Sequence, residues 1–254
     1  MSFAIIILAG GLGKRMNSEI PKVLHKLNNL SLIQHVINTS KKLNPSKIGI
    51  IVGKYEEEIK KNINDNSIEY ITQTNPMGTG HALQCANEFI KKYDNVLVLS
   101  GDVPLITETT LTNMLKLKSE CVLLVNEFCN PTGYGRIKQI NNKVTIIEEK
   151  DCTDEEKKIK KINSGIYYFN SNKLLEYLPK LNCNNSQSEY YLTDVVSHFD
   201  NVNLIESINN IEIQGVNTID QLNEMNNSLK VGVVGLGFVG SSILKSLLIK
   251  GCNV

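Results

Sequence analysis

Three glycines, Gly10, Gly11 and Gly13, follow Ala9 in close succession, with Arg15 and Lys22 shortly after them. Glycine carries no Cβ to hold a ligand off, so the backbone N–H groups of such a loop can approach phosphate oxygens. A guanidinium and an ammonium beside them add charge and directed donors. That combination suits a polyphosphate. No G-x-x-x-x-G-K-[ST] occurs, so the loop is not of the Walker type. Taken alone, the glycines also fit an ordinary turn with surface cations.

Other residues invite a chemical and a plain reading together. Asp102 closes the apolar run Val96–Ser100, where a carboxylate can hold a hard cation or simply shape a turn or cap a helix. Asn217 begins an Asn-Thr-x-Asp stretch that equally suits a helix cap. Glu148 opens a charge run through Asp151 that would ordinarily face water. His25, His35, His81 and His198 form no constellation with acidic or cysteine partners, which predicts satisfied structural histidines. The six cysteines are never closer than eight positions (Cys121 to Cys129), excluding C-x-x-C zinc or redox motifs and predicting reduced core thiols.

These residues need a scaffold, and the 254-residue chain can supply one. It is 41% hydrophobic and 21% charged, enough apolar content for a large core and too balanced for disorder. With 27 Lys and Arg against 26 Asp and Glu, the net charge of +1 disfavours nucleic acid as a partner. The first apolar run is far shorter than the ~20 residues of a membrane span and lacks a basic leader, which predicts no membrane partner and a cytoplasmic location. Strand-length runs alternate with helical patterns: Ala4–Leu8 then Leu32–Leu43, Ile48–Val52 then Glu56–Ile63, Ile68–Thr72 then Gly80–Lys91, Val96–Ser100 then Glu108–Leu117. This alternation predicts an α/β domain with a mainly parallel sheet. Val122–Val125, Gly135–Gln139, Val144–Glu148 and Ile162–Phe169 then read as strands of a mixed region laid over the open sheet edge. Ligands of such sheets bind beyond the carboxyl ends of the strands.

The residues around the loop carry a resemblance. LAGGLGKRM (8–16) and PKVLH (21–25) are followed, in order, by QTNPMGTGHA (73–82), SGDVPL (100–105), PTGYGRI (131–137), IEEKD (147–151), INSGI (162–166), NNSQSEYYLTD (184–194) and GVN (215–217). Together these blocks resemble the sugar-nucleotide pyrophosphorylases, in particular the uridyltransferase half of the bifunctional bacterial N-acetylglucosamine-1-phosphate uridyltransferases, over residues 3 to about 227. The resemblance implies a Rossmann-like nucleotidyltransferase fold with a mainly parallel, mixed central sheet. It implies UTP and a sugar-1-phosphate as substrates and Mg²⁺ as cofactor. By the same resemblance Ala9, Gly10, Gly11, Gly13, Gln73, Gly78 and Thr79 bind the nucleotide, and Arg15 and Lys22 are catalytic. Asp102 and Asn217 hold the metal, and Gly135, Glu148, Asn163, Tyr191 and Thr193 contact the sugar. Two departures stand out: Lys14 replaces the usual Thr beside the phosphates, and Ser188 the usual Gly before Glu189. There is no counterpart of the acetylating half, so no acetyl-CoA activity is expected. Another sugar phosphate, or a non-catalytic nucleotide-sugar binding module, is the alternative, and the oligomeric state is not legible.

Past the Asn-rich stretch 223–228 a second unit is expected. A strand at 230–234, the turn Gly235-x-Gly237-x-x-Gly240 and a helix resemble the opening of a nucleotide-sugar 6-dehydrogenase. Only 14 residues follow Gly240, whereas the ribose-binding acid should come ~20 residues on. Residues 228–254 are thus expected to be an incomplete dinucleotide-fold fragment without NAD.

Overall fold

The first apolar run folds as β1 (Phe3–Leu8) in a computed structural model of the chain, which describes residues 2–141 and 143–228. A small hairpin of β2 (Lys26–Leu27) and β3 (Leu30–Ser31) precedes α1 (Leu32–Lys42). Strands and helices then alternate: β4 (Lys47–Val52), α2 (Glu56–Ile63), β5 (Ile68–Thr72), α3 (Thr79–Cys85), α4 (Asn87–Ile90), β6 (Asn95–Ser100) and α5 (Glu108–Leu115). The later part holds β7 (Cys121–Glu127), β8 (Gly135–Ile140), β9 (Lys143–Ile147), β10 (Lys161–Asn170), α6 (Ser171–Tyr177), β11 (Val202–Glu206) and α7 (Ile219–Ser228). The expected tail unit beyond Ser228 lies outside the described residues.

The main path of the sheet runs β11-β7-β10-β6-β1-β4-β5, with the β8–β9 hairpin paired off β10. Only β10 on this path is antiparallel to its neighbours; β6, β1, β4 and β5 are mutually parallel. The fold is the expected mixed α/β one with a mostly parallel sheet. One expectation needs correction: the later strands are not laid over the edge. β10 bonds directly to β6, and β7 and β11 continue the sheet beyond it, because both sides of β10 find ladder partners. β11, absent from the expected strands, completes that side.

β1 is buried on both faces. Ile5 and Ile7 pack with Ile33 and Val36 of α1 and Leu111 of α5, while Ala4 and Ile6 pack with Ala82, Leu83 and Phe89 on the other side. Helices covering both faces are why this strand reads as an unbroken apolar run rather than an alternating one. The helix expected over 80–91 divides, because Ala86 (φ −91°, ψ 9°) leaves helical geometry and closes a tight bond to the Leu83 carbonyl. Of the expected core thiols, Cys121 and Cys152 are buried, but Cys85 and Cys129 are exposed and Cys183 is intermediate; all five are free. Cys252 lies outside the described residues. Among the described residues, no helix is long and apolar enough to cross a membrane.

Candidate active site

Four parallel strands deliver their carboxyl ends to one edge. There Ala9 donates to the Ile51 carbonyl at 2.8 Å, Gln73 to Val52 at 2.7 Å and Gly101 to Leu8 at 2.9 Å, so the segments leaving β1, β5 and β6 lie side by side. A cleft of about 610 Å³ opens at this edge. Residues 8–14, Lys22, Gln73, Gly78, Thr79 and Asp102 line it, a size suited to a small ligand. Gly13 is left-handed (φ 60°), and a Cβ there would meet Lys22 Cβ at 2.7 Å. Glycine therefore lets the Lys22 turn fold back against the loop. Nothing lies within 4 Å of where a Gly11 Cβ would be, leaving that backbone open to a ligand.

Asp102 follows β6, and its carbonyl accepts from Val216 N–H at 2.9 Å, which pins the segment containing Gly215 and Asn217 beside it. The Lys22 ammonium donates to the Asp102 carboxylate and reaches Asn217 Oδ1 at 3.3 Å; Arg15 Nη2 donates to the same Asn217 oxygen at 2.9 Å. Neither the Asp102 nor the Asn217 side chain is spent on a helix cap. Thr107 caps α5, and Thr218 and Gln221 form a reciprocal cap at the start of α7, Gln221 Oε1 accepting from Asn217 N–H at 2.7 Å. Asp102 Oδ2 and Asn217 Oδ1 thus converge on one cation, and between them Gly215 adds no side chain; a Cβ there would lie 3.8 Å from Asp102 Oδ2. A single carboxylate and one amide oxygen fit a hard cation that completes its shell with phosphate and water, as Mg²⁺ does. Among the described residues, no group of three His, Cys, Asp or Glu side chains makes a protein-only metal cage.

Gly78 (φ 105°) has no room for a side chain: a Cβ would approach the Tyr190 carbonyl to 2.5 Å. Gly80 N–H donates to that carbonyl at 2.7 Å, Tyr190 N–H donates to Met77 at 2.8 Å, and Leu192 N–H donates to Thr79 Oγ1 at 3.1 Å. The turn carrying Gly78 and Thr79 is stitched to the segment carrying Tyr191 and Thr193. Thr79 uses its hydroxyl for that stitching.

Four of the five expected sugar residues fall into contacting pairs. Gly135 pairs with Asn163 across β8 and β10, Thr193 Oγ1 donates to Glu148 at 2.9 Å, and Asn163 Nδ2 donates to the Tyr167 hydroxyl at 2.7 Å. Burial pushes the Glu148 carboxyl above its ordinary range, with the Thr193 hydrogen bond opposing the shift. The charge run therefore does not leave Glu148 on a solvated face. Tyr191 stands apart: its hydroxyl accepts from Gln187 Nε2 at 2.9 Å. Arg15, Asn217 and the five sugar residues do not line the cleft, whereas Lys150, Gln187 and Glu189 do.

Sequence reasoning passed over Lys150 as one charge in a run, although it sits within a quoted block. It also missed Tyr167, four positions from Asn163 along one strand, a spacing that favours a shared face. The histidine expectation is corrected in part. His35 Nε2 contacts the Leu27 carbonyl at 2.8 Å, as a structural histidine should. His25 departs from the expectation, its Nε2 buried without a hydrogen-bond partner among the described residues, whereas His81 is satisfied by the Gln73 amide.

Comparison with known proteins adds relatives. The family model described as nucleotidyl transferase matches residues 4–208. A protein of Acanthamoeba polyphaga mimivirus named "Probable UDP-N-acetylglucosamine pyrophosphorylase" is 44% identical over 237 residues, covering 86% of this chain and 92% of that one. The "Bifunctional protein GlmU" of Thermosipho melanesiensis is 43% identical over 229 residues, 89% of this chain but 50% of its own length. The chain thus spans about half the length of the bifunctional bacterial relatives. Among solved structures, UDP-glucose pyrophosphorylase complexed with UDP-glucose matches with a TM-score of 0.71 at 16% identity, over 90% of this chain and 98% of that one, a likeness of fold.

Proposed function

The chain belongs to the nucleotidyl transferase family, and from that premise we propose that it transfers a uridylyl group from UTP to N-acetylglucosamine-1-phosphate, giving UDP-N-acetylglucosamine and pyrophosphate. One observation supports this reading above the others. Two cations, Lys22 and Arg15, and two oxygen ligands, Asp102 and Asn217, share hydrogen bonds beside the glycine loop. The name of the mimivirus relative, at 44% identity, agrees with the reading.

In this reaction a phosphate oxygen of the sugar phosphate attacks the α-phosphorus of UTP in line. The bond from the α-phosphorus to the bridging oxygen breaks, and pyrophosphate leaves on the opposite side. The nucleophile is already ionised at neutral pH, so the work is positioning and charge neutralisation and needs no general base. Backbone N–H groups of Gly10, Gly11 and Gly13 cradle phosphate oxygens, and Ala9, Gln73, Gly78 and Thr79 hold the nucleoside. Arg15 and Lys22 offset charge on the transferring and leaving phosphates. Glu148, Asn163, Thr193 and Gly135 receive the sugar, with Tyr191 bracing the adjoining loop. Asp102 and Asn217 would hold Mg²⁺, which when bound supplies a Lewis-acidic charge to the phosphates.

The reading places the catalytic domain at 1–227 and the enzyme in the cytoplasm. It treats 228–254 as a separate segment that resembles the opening of a nucleotide-sugar 6-dehydrogenase. Pyrophosphate release with UTP, Mg²⁺ and a panel of N-acetylglucosamine-, glucose- and N-acetylgalactosamine-1-phosphates tests the reaction. Turnover is expected with the first; none with any of the three overturns the reading. For that segment, unchanged kinetics after deleting 229–254 are expected, and a large loss of kcat/KM would show that it belongs to the catalytic domain.

A further inference from the structure

His81 lies outside the cleft lining, yet it holds a residue that lines it. Gln73, 5% exposed, follows β5 and turns its side-chain amide toward α3. Its Nε2 lies 3.0 Å from the Gly78 carbonyl and 3.0 Å from His81 Nδ1. A carbonyl can only accept, so the group facing it must be the amide NH₂, and the nitrogen of that NH₂ can only donate. His81 Nδ1 is thereby the acceptor, which places the ring proton on Nε2, 3.8 Å from the Cys85 sulfur one helical turn on. Both Gln73 donors are spent on the protein. Its Oε1 takes no hydrogen bond among the described residues, and it points over the Gly10 backbone, where a Cβ would lie 3.2 Å from it. Gly10 and Gln73 both line the cleft.

From this we propose that His81 is a positioning residue that sets nucleobase specificity, by locking Gln73 so that it offers the cleft an acceptor and no donor. The proposal rests on the reading that Gln73 faces the base of the nucleotide. Uracil meets an acceptor with its N3–H. Cytosine presents a lone pair at N3, so two acceptors face each other and both lose their water partners without replacement. A freely rotating glutamine would serve either base by turning its amide over. Held by two acceptors, it rejects the wrong one. Removing His81 leaves Gly78 as the single restraint, so discrimination weakens without disappearing.

The test is the ratio of kcat/KM for UTP to that for CTP, with N-acetylglucosamine-1-phosphate and Mg²⁺ held constant. A ratio taken on one preparation is blind to the fraction folded, so a merely structural role for His81 would not move it. The wild-type chain is expected to favour UTP strongly, since sites built on directed hydrogen bonds discriminate by up to ~10⁴-fold. Gln73→Ala should erase most of that preference. His81→Leu, or His81→Met if the first does not fold, should lower the ratio by about tenfold, the worth of one lost hydrogen bond. His81→Asn, which puts an oxygen acceptor near the place of Nδ1, should restore it. A wild-type ratio in His81→Leu, with the preference lost in Gln73→Ala, overturns the role of His81 and leaves the base reading standing. A His81→Asn ratio as low as that of His81→Leu also overturns it, since the acceptor would then not matter. An unchanged ratio in Gln73→Ala removes the base reading, and the proposal with it.

Discussion

The ammonium of Lys22 is hydrogen-bonded to the carboxylate of Asp102, eighty positions away in sequence. Both side chains are only 17% exposed, so the pair is partly shielded from water and more strongly coupled than a surface ion pair. The same ammonium reaches Asn217, so one positive charge sits where two side-chain oxygens converge. The Lys22 ammonium compensates both oxygens, which the proposed reading assigns to Mg²⁺. Asp102→Asn should therefore leave the fold intact and remove several kcal/mol of transition-state stabilisation, a loss of roughly a hundredfold or more in kcat. Wild-type-like kcat throughout a magnesium titration would remove Asp102 from the metal's shell.

Arg15 and Lys22 share Asn217 and flank the glycine loop, and the proposed reading assigns both to the triphosphate. Arg15→Ala and Lys22→Ala should each lower kcat/KM for UTP more than for the sugar phosphate. If the sole defect were a raised KM for the sugar phosphate, the two half-sites would have to be exchanged.

Lys150 lines the same cleft and donates to Gln187 Oε1 at 2.7 Å. A cation at the rim attracts anionic substrates through a field that salt screens. Lys150→Ala should lower kcat/KM by about tenfold at low ionic strength and flatten its salt dependence. Parallel salt curves for variant and wild type would show that the ammonium serves only Gln187.

Burial raises the Glu148 carboxyl, and the sign of its effect on stability follows. The folded state binds the proton more tightly than the unfolded chain, so stability falls as pH rises from the ordinary carboxyl range through the raised value. Glu148→Gln should accordingly stabilise the protein at neutral pH, with the gain vanishing in acid, while raising KM for the sugar phosphate. Urea titrations at neutral and acid pH check the first point and steady-state kinetics the second. A variant less stable at neutral pH would contradict the desolvation cost.

Ser188 stands at φ 53°, a left-handed conformation that costs a side-chain-bearing residue roughly 1–2 kcal/mol. Glycine relieves that strain but adds freedom to the unfolded chain. Ser188→Gly should therefore stabilise by about 0.5–1 kcal/mol in chemical denaturation, with kinetics little changed. A loss of stability would mean that the Ser188 side chain contributes more than its backbone costs.

Much of the parallel sheet was legible because local burial leaves a local mark. β1, β4 and β6 are covered on both faces and read as apolar runs; α2 carries its own helical period and falls at the expected bounds. The glycine loop with Lys22, and the blocks around Gln73 and Asp102, were legible too, since glycine, cation and carboxylate at fixed spacings are properties of the chain itself. What joins them was not. No spacing says that Lys22 meets Asp102, that Thr79 receives Leu192 N–H, or that β10 enters the sheet antiparallel beside β6. Those contacts depend on how segments many tens of residues apart are packed. His81 shows the difference most sharply. Its type and neighbours in sequence mark an ordinary structural histidine; only the folding of α3 against the end of β5 turns its ring into the acceptor that orients Gln73, because a hydrogen bond depends on distance and direction in space and not on separation along the chain.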